Sequence, residues 1–396
     1  MKDIMDDDSK LFTYFIDNCS SIVKKYGFNY LETPILEETK LFKRSVGESS
    51  DIVNKEMYRF EDKGNNDVCL RPEGTAGVVR MLIQNKIDRA GGSHKYYYHG
   101  PMFRYERPQK GRLREFHQFG CESFGEDSVY EDANIILMIS TILNFFNIEY
   151  ELQLNSLGCQ QCMPIYKNNL VKHIEALHLC EDCNRRKLTN PIRVLDCKNE
   201  KCLSALNSSH VPYITDCLCE GCNTDFVKLK SILNDNNVEY KVSPTLVRGL
   251  DYYTKTAFEF ISNKIGAQNS IAGGGRYDKL VEYLGGRPTL AIGFALGIER
   301  LLDLIKLQKN KEDILYIGAM SEEAIDVVFT KVAKKREKLK VITDYRVRSF
   351  EKHLNNAQKK GATIVALIGK NELDKNTIWT KDLEKQEEKT INMDKF

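Results

Sequence analysis

Apolar positions recur at helical spacing from residue 9 to residue 26, with Leu11, Phe12, Phe15, Ile16, Cys19, Ile22 and Val23 on one face. The pattern predicts an amphipathic helix ended by Gly27, then extended chain from Phe28 to Leu36 broken by Pro34. Strand-like runs at Tyr96 to Arg104 and Phe116 to Phe124 flank the basic segment Pro108-Gln109-Lys110-Gly111-Arg112. They predict an antiparallel pair joined by a long loop. Glu131 to Phe146 reads as an apolar helix. Strand character returns at Ala257 to Ile261, Asn269 to Ala272 and Thr289 to Leu296, ahead of a helix from Ile298 to Leu307. Past a polar linker at 309–312, apolar runs at Ile314 to Ala319, Val341 to Thr343 and Thr363 to Ile368 alternate with helical patterns. Such alternation predicts a small parallel or mixed α/β domain.

The stretch 155–245 differs in character, being rich in cysteine and mostly helical in pattern. It reads as an insertion that splits a core made of 1–154 and 246–308, with the α/β domain at 312–396. A chain of 396 residues has room for two or three domains.

Composition narrows the function classes. The formal charge is only +2, so polyanion contacts must come from local basic clusters. The longest greasy stretch, Ile135 to Phe146, carries Ser140, Thr141 and Asn144 and falls short of the roughly 20 residues a membrane span needs. The acidic start, Asp6-Asp7-Asp8, is unlike a signal peptide. A cytoplasmic setting with reduced thiols is expected, which turns the CxxC spacings into metal candidates.

The segment from Gly100 to Glu122 concentrates the chemistry. Five cations, Arg104, Arg107, Lys110, Arg112 and Arg114, lie within it. The planar fork of Arg donates two hydrogen bonds to neighbouring phosphate oxygens. Alternation along a strand puts Arg104 and Glu106 on one face, and likewise Phe116, Gln118, Gly120 and Glu122. A phosphate-binding Arg can thus stand beside an aromatic platform and a carboxylate pocket. Gly273-Gly274-Gly275 lacks the spacing of a dinucleotide loop and reads as a close backbone approach at the floor of a site.

The stretch from Gly100 to Glu122 resembles motif 2 of class II aminoacyl-tRNA synthetases in its histidine-specific form. Tyr26-Gly27-Phe28 through Thr33-Pro34-Ile35-Leu36-Glu37 resembles motif 1, the dimer-interface segment, and Ala291 to Leu301 resembles motif 3. Leu246 to Thr254, Gly273 to Asp278 and Arg71-Pro72-Glu73-Gly74-Thr75 resemble further signatures of the histidyl-tRNA synthetase family. The pieces run nearly end to end and in order.

The resemblance implies an α+β fold, namely a class II catalytic core on a largely antiparallel sheet, a helical insertion and a C-terminal α/β anticodon-binding domain. It implies a cytoplasmic homodimer that takes histidine, ATP with Mg²⁺, and histidine tRNA. By the same resemblance Arg104 holds the α-phosphate and the amino-acid carboxylate. Glu106 orients adenine, Phe116 stacks on the base, and Arg112 and Arg300 bind the outer phosphates. Arg248 lies near the α-phosphate, where related enzymes place a metal ion. Glu73, Thr75 and Gln118 cradle the α-ammonium group, and Glu122 and Tyr253 bind the imidazole nitrogens with Tyr252 close by. Arg107, Gln109 and Lys110 meet the acceptor end of tRNA.

Nine cysteines lie between 159 and 222. Cys159, Cys162, Cys180 and Cys183 fit a four-thiolate zinc pattern, and Cys197, Cys202, Cys219 and Cys222 fit a second, leaving Cys217 over. Spacing does not fix which pairs share a metal, and free thiols packed as small hydrophobes are the alternative. A metal here is structural, since similar synthetases lack these cysteines. Two other readings of the core exist: an inert paralogue that regulates histidine biosynthesis, and a module that only senses tRNA. The C-terminal domain and Arg104, Arg248 and Arg300 argue against the first, and the want of a fused effector domain argues against the second.

Overall fold

The computed structural model describes residues 3–47, 50, 52–106, 111–195, 197, 199–247, 252–266, 269–305 and 313–396. The chain divides into two units, 1–306 and 307–396. In the first, α1 (Asp6–Lys25) leads to β1 (Asn29–Tyr30), β2 (Leu36–Glu38), α2 (Thr39–Val46), β3 (Arg59–Glu61), β4 (Asp67–Leu70) and α3 (Thr75–Gln84). Then come β5 (His94–Phe103), β6 (Glu115–Phe124), α4 (Val129–Phe145) and β7 (Glu151–Ser156). The helices α5 (Cys162–Glu175), α6 (Glu181–Thr189), α7 (Glu200–Asn207) and α8 (Glu220–Asp235) precede β8 (Lys241–Val242) and β9 (Thr254–Ile261). The unit closes with β10 (Ser270–Arg276), α9 (Leu280–Tyr283), β11 (Ala291–Gly297) and α10 (Ile298–Leu302).

Three acidic residues, Asp6, Asp7 and Asp8, sit in the first turn of α1, where they complement the helix dipole. Gly27, at φ +85°, follows its last turn and donates to the Lys24 carbonyl at 3.0 Å. The extended run to Leu36 is shorter than its pattern predicts. Only Asn29 and Tyr30 pair, in parallel with β5, and Leu36–Glu38 joins a separate three-stranded sheet ordered β2-β4-β3. Pro34 lies between the two pieces and lacks the N–H that a continuous strand would need.

The main sheet has the order β1-β5-β6-β11-β10-β9-β7-β8. Its central pairs are antiparallel; β1–β5 and β7–β8 at the edges are parallel. Strand alternation sorts its two faces. Tyr97, Phe119, Cys121, Phe258 and Phe294 join a core with α1, α4 and α8. Tyr98, Met102, Phe124 and Tyr277 turn to the other side, against α3 and α9. Helix α4 anchors the first face through Ile135, Ile136, Met138, Ile139, Ile142 and Leu143, all fully buried. Each such side chain contributes about 1.5–3 kcal/mol.

Two departures from the sequence pattern matter. Strand β10 continues through Gly273-Gly274-Gly275 to Arg276, paired with β9 and β11 on its two sides, and its close approach needs glycine because a Cβ at Gly274 would come within 2.1 Å of the Gly293 carbonyl oxygen. The helix after β11 ends at Leu302, and residues 306–312, including the predicted end at Leu307, lie outside the described residues.

The second unit comprises β12 (Ile314–Ala319), α11 (Ile325–Arg336), β13 (Lys340–Asp344), α12 (Phe350–Lys359), β14 (Ile364–Ile368), α13 (Lys370–Asp374), β15 (Thr377–Asp382) and β16 (Glu387–Asn392). Strands β13, β12 and β14 are parallel, and β15 and β16 extend the sheet antiparallel. Leu315, Ile317 and Ala319 pack with Val328 and Val332 of α11, while Tyr316 faces Ala357 of α12. The terminal hairpin escapes the sequence pattern because β16 is largely exposed and built from Glu387, Glu388, Lys389 and Thr390.

Candidate active site

On the α3 side of the main sheet a cavity of about 580 Å³ opens over β6, β10 and β11. Ten of the residues singled out from sequence line it: Glu73, Thr75, Arg104, Glu106, Arg112, Phe116, Gln118, Tyr252, Tyr253 and Arg300. Arg107, Gln109, Lys110 and Arg248 lie outside the described residues.

One end of the cavity is carboxylate, amide and phenol. Glu73 precedes α3, and its carboxylate accepts the backbone N–H groups of Thr75 at 2.8 Å and Ala76 at 2.9 Å. Burial pushes its pKa up, opposed by those N–H groups and by Arg104. Gln118 Oε1 and the Tyr252 hydroxyl are buried without a hydrogen-bond partner among the described residues. Buried polar atoms are almost always paired, so two orphans on one cavity wall mark the place of a polar ligand. The Tyr252 and Tyr253 rings lie 4.7 Å apart.

Glu122 sits deeper and is only 1% exposed. The Thr75 hydroxyl donates to its Oε1 at 2.7 Å, Tyr98 donates to the same oxygen at 3.2 Å, and Tyr277 donates to Oε2. Burial drives its pKa up to about 8 despite these donors. Space for this carboxylate depends on Gly293, where a Cβ would lie 1.8 Å from Oε2. Thr75 therefore connects the cavity wall to Glu122. Tyr98 is likewise held by missing side chains, since a Cβ at Gly74 or Gly120 would fall within 2.4 Å of its ring.

The other end is cationic. Arg104 lies 5.3 Å from the centre of the Phe116 ring, and its Nε donates to the Pro72 carbonyl at 2.9 Å. Arg112 Nε stands 3.1 Å from Glu106. Arg300 donates from Nε to the Gly111 carbonyl at 2.9 Å and from Nη1 to the Ser270 carbonyl at 2.6 Å. Burial, and then the nearby charges of Arg112 and Arg104, lower its pKa. Three guanidinium groups converging on one cavity make a receptor for a polyanion such as triphosphate.

Sequence reasoning missed several participants. Glu299 binds the His117 backbone N–H at 2.9 Å and its Nδ1 at 2.8 Å, both on the cavity wall. Tyr98 and Tyr277 escaped because they act on Glu122 beneath the surface; a Tyr following Gly-Gly-Gly-Arg was the available signal for Tyr277. Arg71, buried, donates to Thr33 and to the Pro101 carbonyl at 2.9 Å, fixing the segment after α1 against β5. Arg276 pairs with Asp132 at 2.6 Å and supports the sheet from outside the cavity.

The cysteines need a correction. Cys159 and Cys162 do not gather with Cys180 and Cys183. They meet Cys219 and Cys222, while Cys180 and Cys183 meet Cys197 and Cys202. The cause is the return of the chain: α8 buries Phe226, Leu229, Ile232 and Leu233 in the main core, which brings its first turn back beside the end of β7.

An antiparallel sheet that carries converging arginines, an aromatic platform and an amino-acid-sized polar pocket is the catalytic architecture of a class II aminoacyl-tRNA synthetase. The family described as Histidyl-tRNA synthetase matches residues 1–163 and 187–301, and the family described as Anticodon binding domain matches 314–396. The chain belongs to the histidyl-tRNA synthetase family. It is 58% identical to the histidine–tRNA ligase of Sulfurimonas denitrificans over 100% of this chain and 98% of that protein. The ligase of Campylobacter concisus is 54% identical over 100% of this chain and 97% of its own. Among solved structures, apo histidyl-tRNA synthetase of S. aureus superposes with a TM-score of 0.84 at 35% identity, covering 100% of this chain and 96% of that one.

Proposed function

We propose that this chain activates L-histidine with ATP to give histidyl-adenylate and pyrophosphate, then transfers the histidyl group to the 3′ end of histidine tRNA. The observation that carries this reading is one cavity with orphaned amino-acid-scale polar groups at one end and three arginines at the other. A carboxylate oxygen of histidine attacks the α-phosphorus, the Pα–O bond to the β-phosphate breaks, and pyrophosphate leaves with the electron pair. Arg104 holds the α-phosphate and the histidine carboxylate; Arg112 and Arg300 hold the outer phosphates. Phe116 stacks on adenine and Glu106 orients it. Mg²⁺ enters with ATP as part of the substrate.

Glu73, Thr75 and Gln118 hold the α-ammonium group. Tyr253 and Glu122 bind the two imidazole nitrogens, with Tyr252 at their side. An imidazole offers one donor and one acceptor, so a site built around both rejects apolar isosteres strongly. We assign to Arg248 the fixed cation opposite the α-phosphate, and to Arg107, Gln109 and Lys110 the acceptor end of tRNA. The division into a core (1–154 and 246–308), an insertion (155–245) and an anticodon-binding domain (312–396) belongs to the same reading.

Tyr30, Ile35 and Leu36 are exposed in the single chain, at 47%, 42% and 47%, which favours a homodimer formed through this segment. No helix among the described residues is long and apolar enough to cross a membrane, which agrees with a cytoplasmic enzyme. The cysteines of the insertion are read as holding structural zinc with no part in the chemistry. The test is aminoacylation: histidine tRNA incubated with the protein, ATP, Mg²⁺ and each amino acid in turn. Charging by histidine alone is expected; charging by another amino acid overturns the assignment.

A further inference from the structure

Eight of the cysteines gather into two groups of four, and within each group the ligand atoms all lie within 4.8 Å of one another. Sγ–Sγ separations within the groups include 3.7 Å for Cys159–Cys162, 3.7 Å for Cys159–Cys219 and 3.9 Å for Cys180–Cys197. A zinc ion with four thiolates at about 2.3 Å has tetrahedron edges of about 3.8 Å. Disulfides need sulfurs about 2.05 Å apart. A polynuclear iron–sulfur cluster spreads its cysteines further than a single ion does. The spacing fits one ion in each group.

Local geometry supports the same conclusion. Cys162 opens α5, Cys180 and Cys183 open α6, and Cys219 and Cys222 open α8. Free backbone N–H groups at a helix start favour thiolate. Backbone N–H groups already point at sulfur: Cys219 to Cys162 at 3.1 Å, Cys180 to Cys202 at 3.1 Å, Gln161 to Cys159 at 3.4 Å and Asn199 to Cys197 at 3.4 Å. Gly158 permits the turn into the first group, with φ +64° and a Cβ position only 2.6 Å from that of Cys162.

The insertion also needs the ions. Among the described residues, five of the thirteen buried in its own core are cysteines. In α6 the only buried residue is Cys183. A small core of this kind is held together by staples in other small domains.

We propose that the insertion carries two structural Zn²⁺ tetrathiolate sites in a nested order, an outer one of Cys159, Cys162, Cys219 and Cys222 and an inner one of Cys180, Cys183, Cys197 and Cys202. This deepens the assignment of structural zinc and holds whatever amino acid the enzyme activates. The outer ion clamps the two ends of the insertion where they leave the main core, since β7 lies just before it and α8 is packed into that core. The inner ion fixes the tip between α6 and α7. Both sites are closed, with four protein ligands and no open position, and so take no part in the reaction.

The test is zinc content of the full chain, purified under reducing conditions without chelator. Two ions per chain are expected. Replacing Cys180, Cys183, Cys197 and Cys202 together by Ser should leave one ion, because the outer site is intact. The reciprocal replacement of Cys159, Cys162, Cys219 and Cys222 by Ser should also leave one if the tip stays folded. A tandem pairing would leave none in either variant. If either variant fails to fold, the wild-type chain reconstituted with Co²⁺ decides: two equivalents should give tetrahedral tetrathiolate absorption. Iron in place of zinc, fewer than two ions in the wild-type chain, or no ion in a folded inner-site variant would overturn the proposal.

Discussion

The Thr75 hydroxyl, on the cavity wall, donates at 2.7 Å to the carboxylate of Glu122, which lies below it and is almost wholly buried. Two tyrosines bind the same carboxylate, so what lies beneath this end of the cavity is a shared hydrogen-bond centre and not a lone acid. Such a network is sensitive to loss of any one member.

Glu122→Gln should raise the KM for histidine by up to about 10-fold, the size of losing one ordinary hydrogen bond, and leave the KM for ATP nearly unchanged. Steady-state pyrophosphate exchange with each substrate varied separately checks this. Equal effects on both would contradict the assignment of this carboxylate to imidazole.

The same group makes a pH prediction. Its pKa is raised from 4.5 to about 8, so the folded protein binds this proton more tightly than the unfolded chain. Its favourable contribution is complete below pH 4.5 and is lost as pH rises through about 8. Urea denaturation of substrate-free protein at pH 5 and pH 8 should show the Glu122→Gln variant gaining stability relative to wild type at the higher pH. A difference that stays constant would place this pKa near its ordinary value.

Gly293→Ala should harm the same pocket from behind, because its Cβ would strike the Glu122 carboxylate. Overpacking of this kind costs about 1–3 kcal/mol. We expect a lower melting temperature and a raised KM for histidine, measured on the same preparation. An unchanged KM would mean that Glu122 can move without consequence.

Arg300→Ala should act at the opposite end. It removes a guanidinium anchored on Gly111 and Ser270 and facing the other arginines. A loss of about 10²–10³ in kcat/KM for ATP is expected, as for removal of a preorganised donor. The KM for histidine should change little. Kinetics of adenylate formation at saturating histidine give the answer.

Much of this was legible from residue pattern. The alternation across Phe116, Gln118, Gly120 and Glu122 placed them on one face of the strand, with Phe119 and Cys121 turned into the core on the other. Arg104 and Arg112 were legible as cations beside an aromatic strand, whereas Arg300 entered only through the resemblance to motif 3. What lay hidden depended on long-range return of the chain. Cys159 and Cys219 are 60 positions apart and meet only because α8 packs into the main core. Tyr98 and Tyr277 are 179 positions apart, and only the fold brings their hydroxyls to one carboxylate. The β15–β16 hairpin was obscured by a strand with too few apolar residues to mark it.

In the C-terminal unit, His353 is buried with Nδ1 at 2.8 Å from the Tyr316 hydroxyl and Nε2 at 2.8 Å from the Ala319 carbonyl. Burial lowers its pKa from 6.5, so the unfolded chain binds this proton more readily. Stability of this unit should therefore fall as pH drops below 6.5. The single tryptophan of the chain, Trp379, packs 4.6 Å from Phe350 in the same unit and reports its unfolding by fluorescence. A His353→Gln variant should lose less stability between pH 7 and pH 5 than wild type. Equal losses would mean that His353 titrates normally.

The central claim is that one cavity brings histidine and ATP together for adenylate formation. Histidine-dependent exchange of labelled pyrophosphate into ATP, with the other amino acids as controls, tests it most directly. Exchange is expected with histidine alone, abolished or severely reduced in Arg104→Ala. No exchange from folded wild-type protein supplied with Mg²⁺ would contradict it and favour a regulatory role for the same fold.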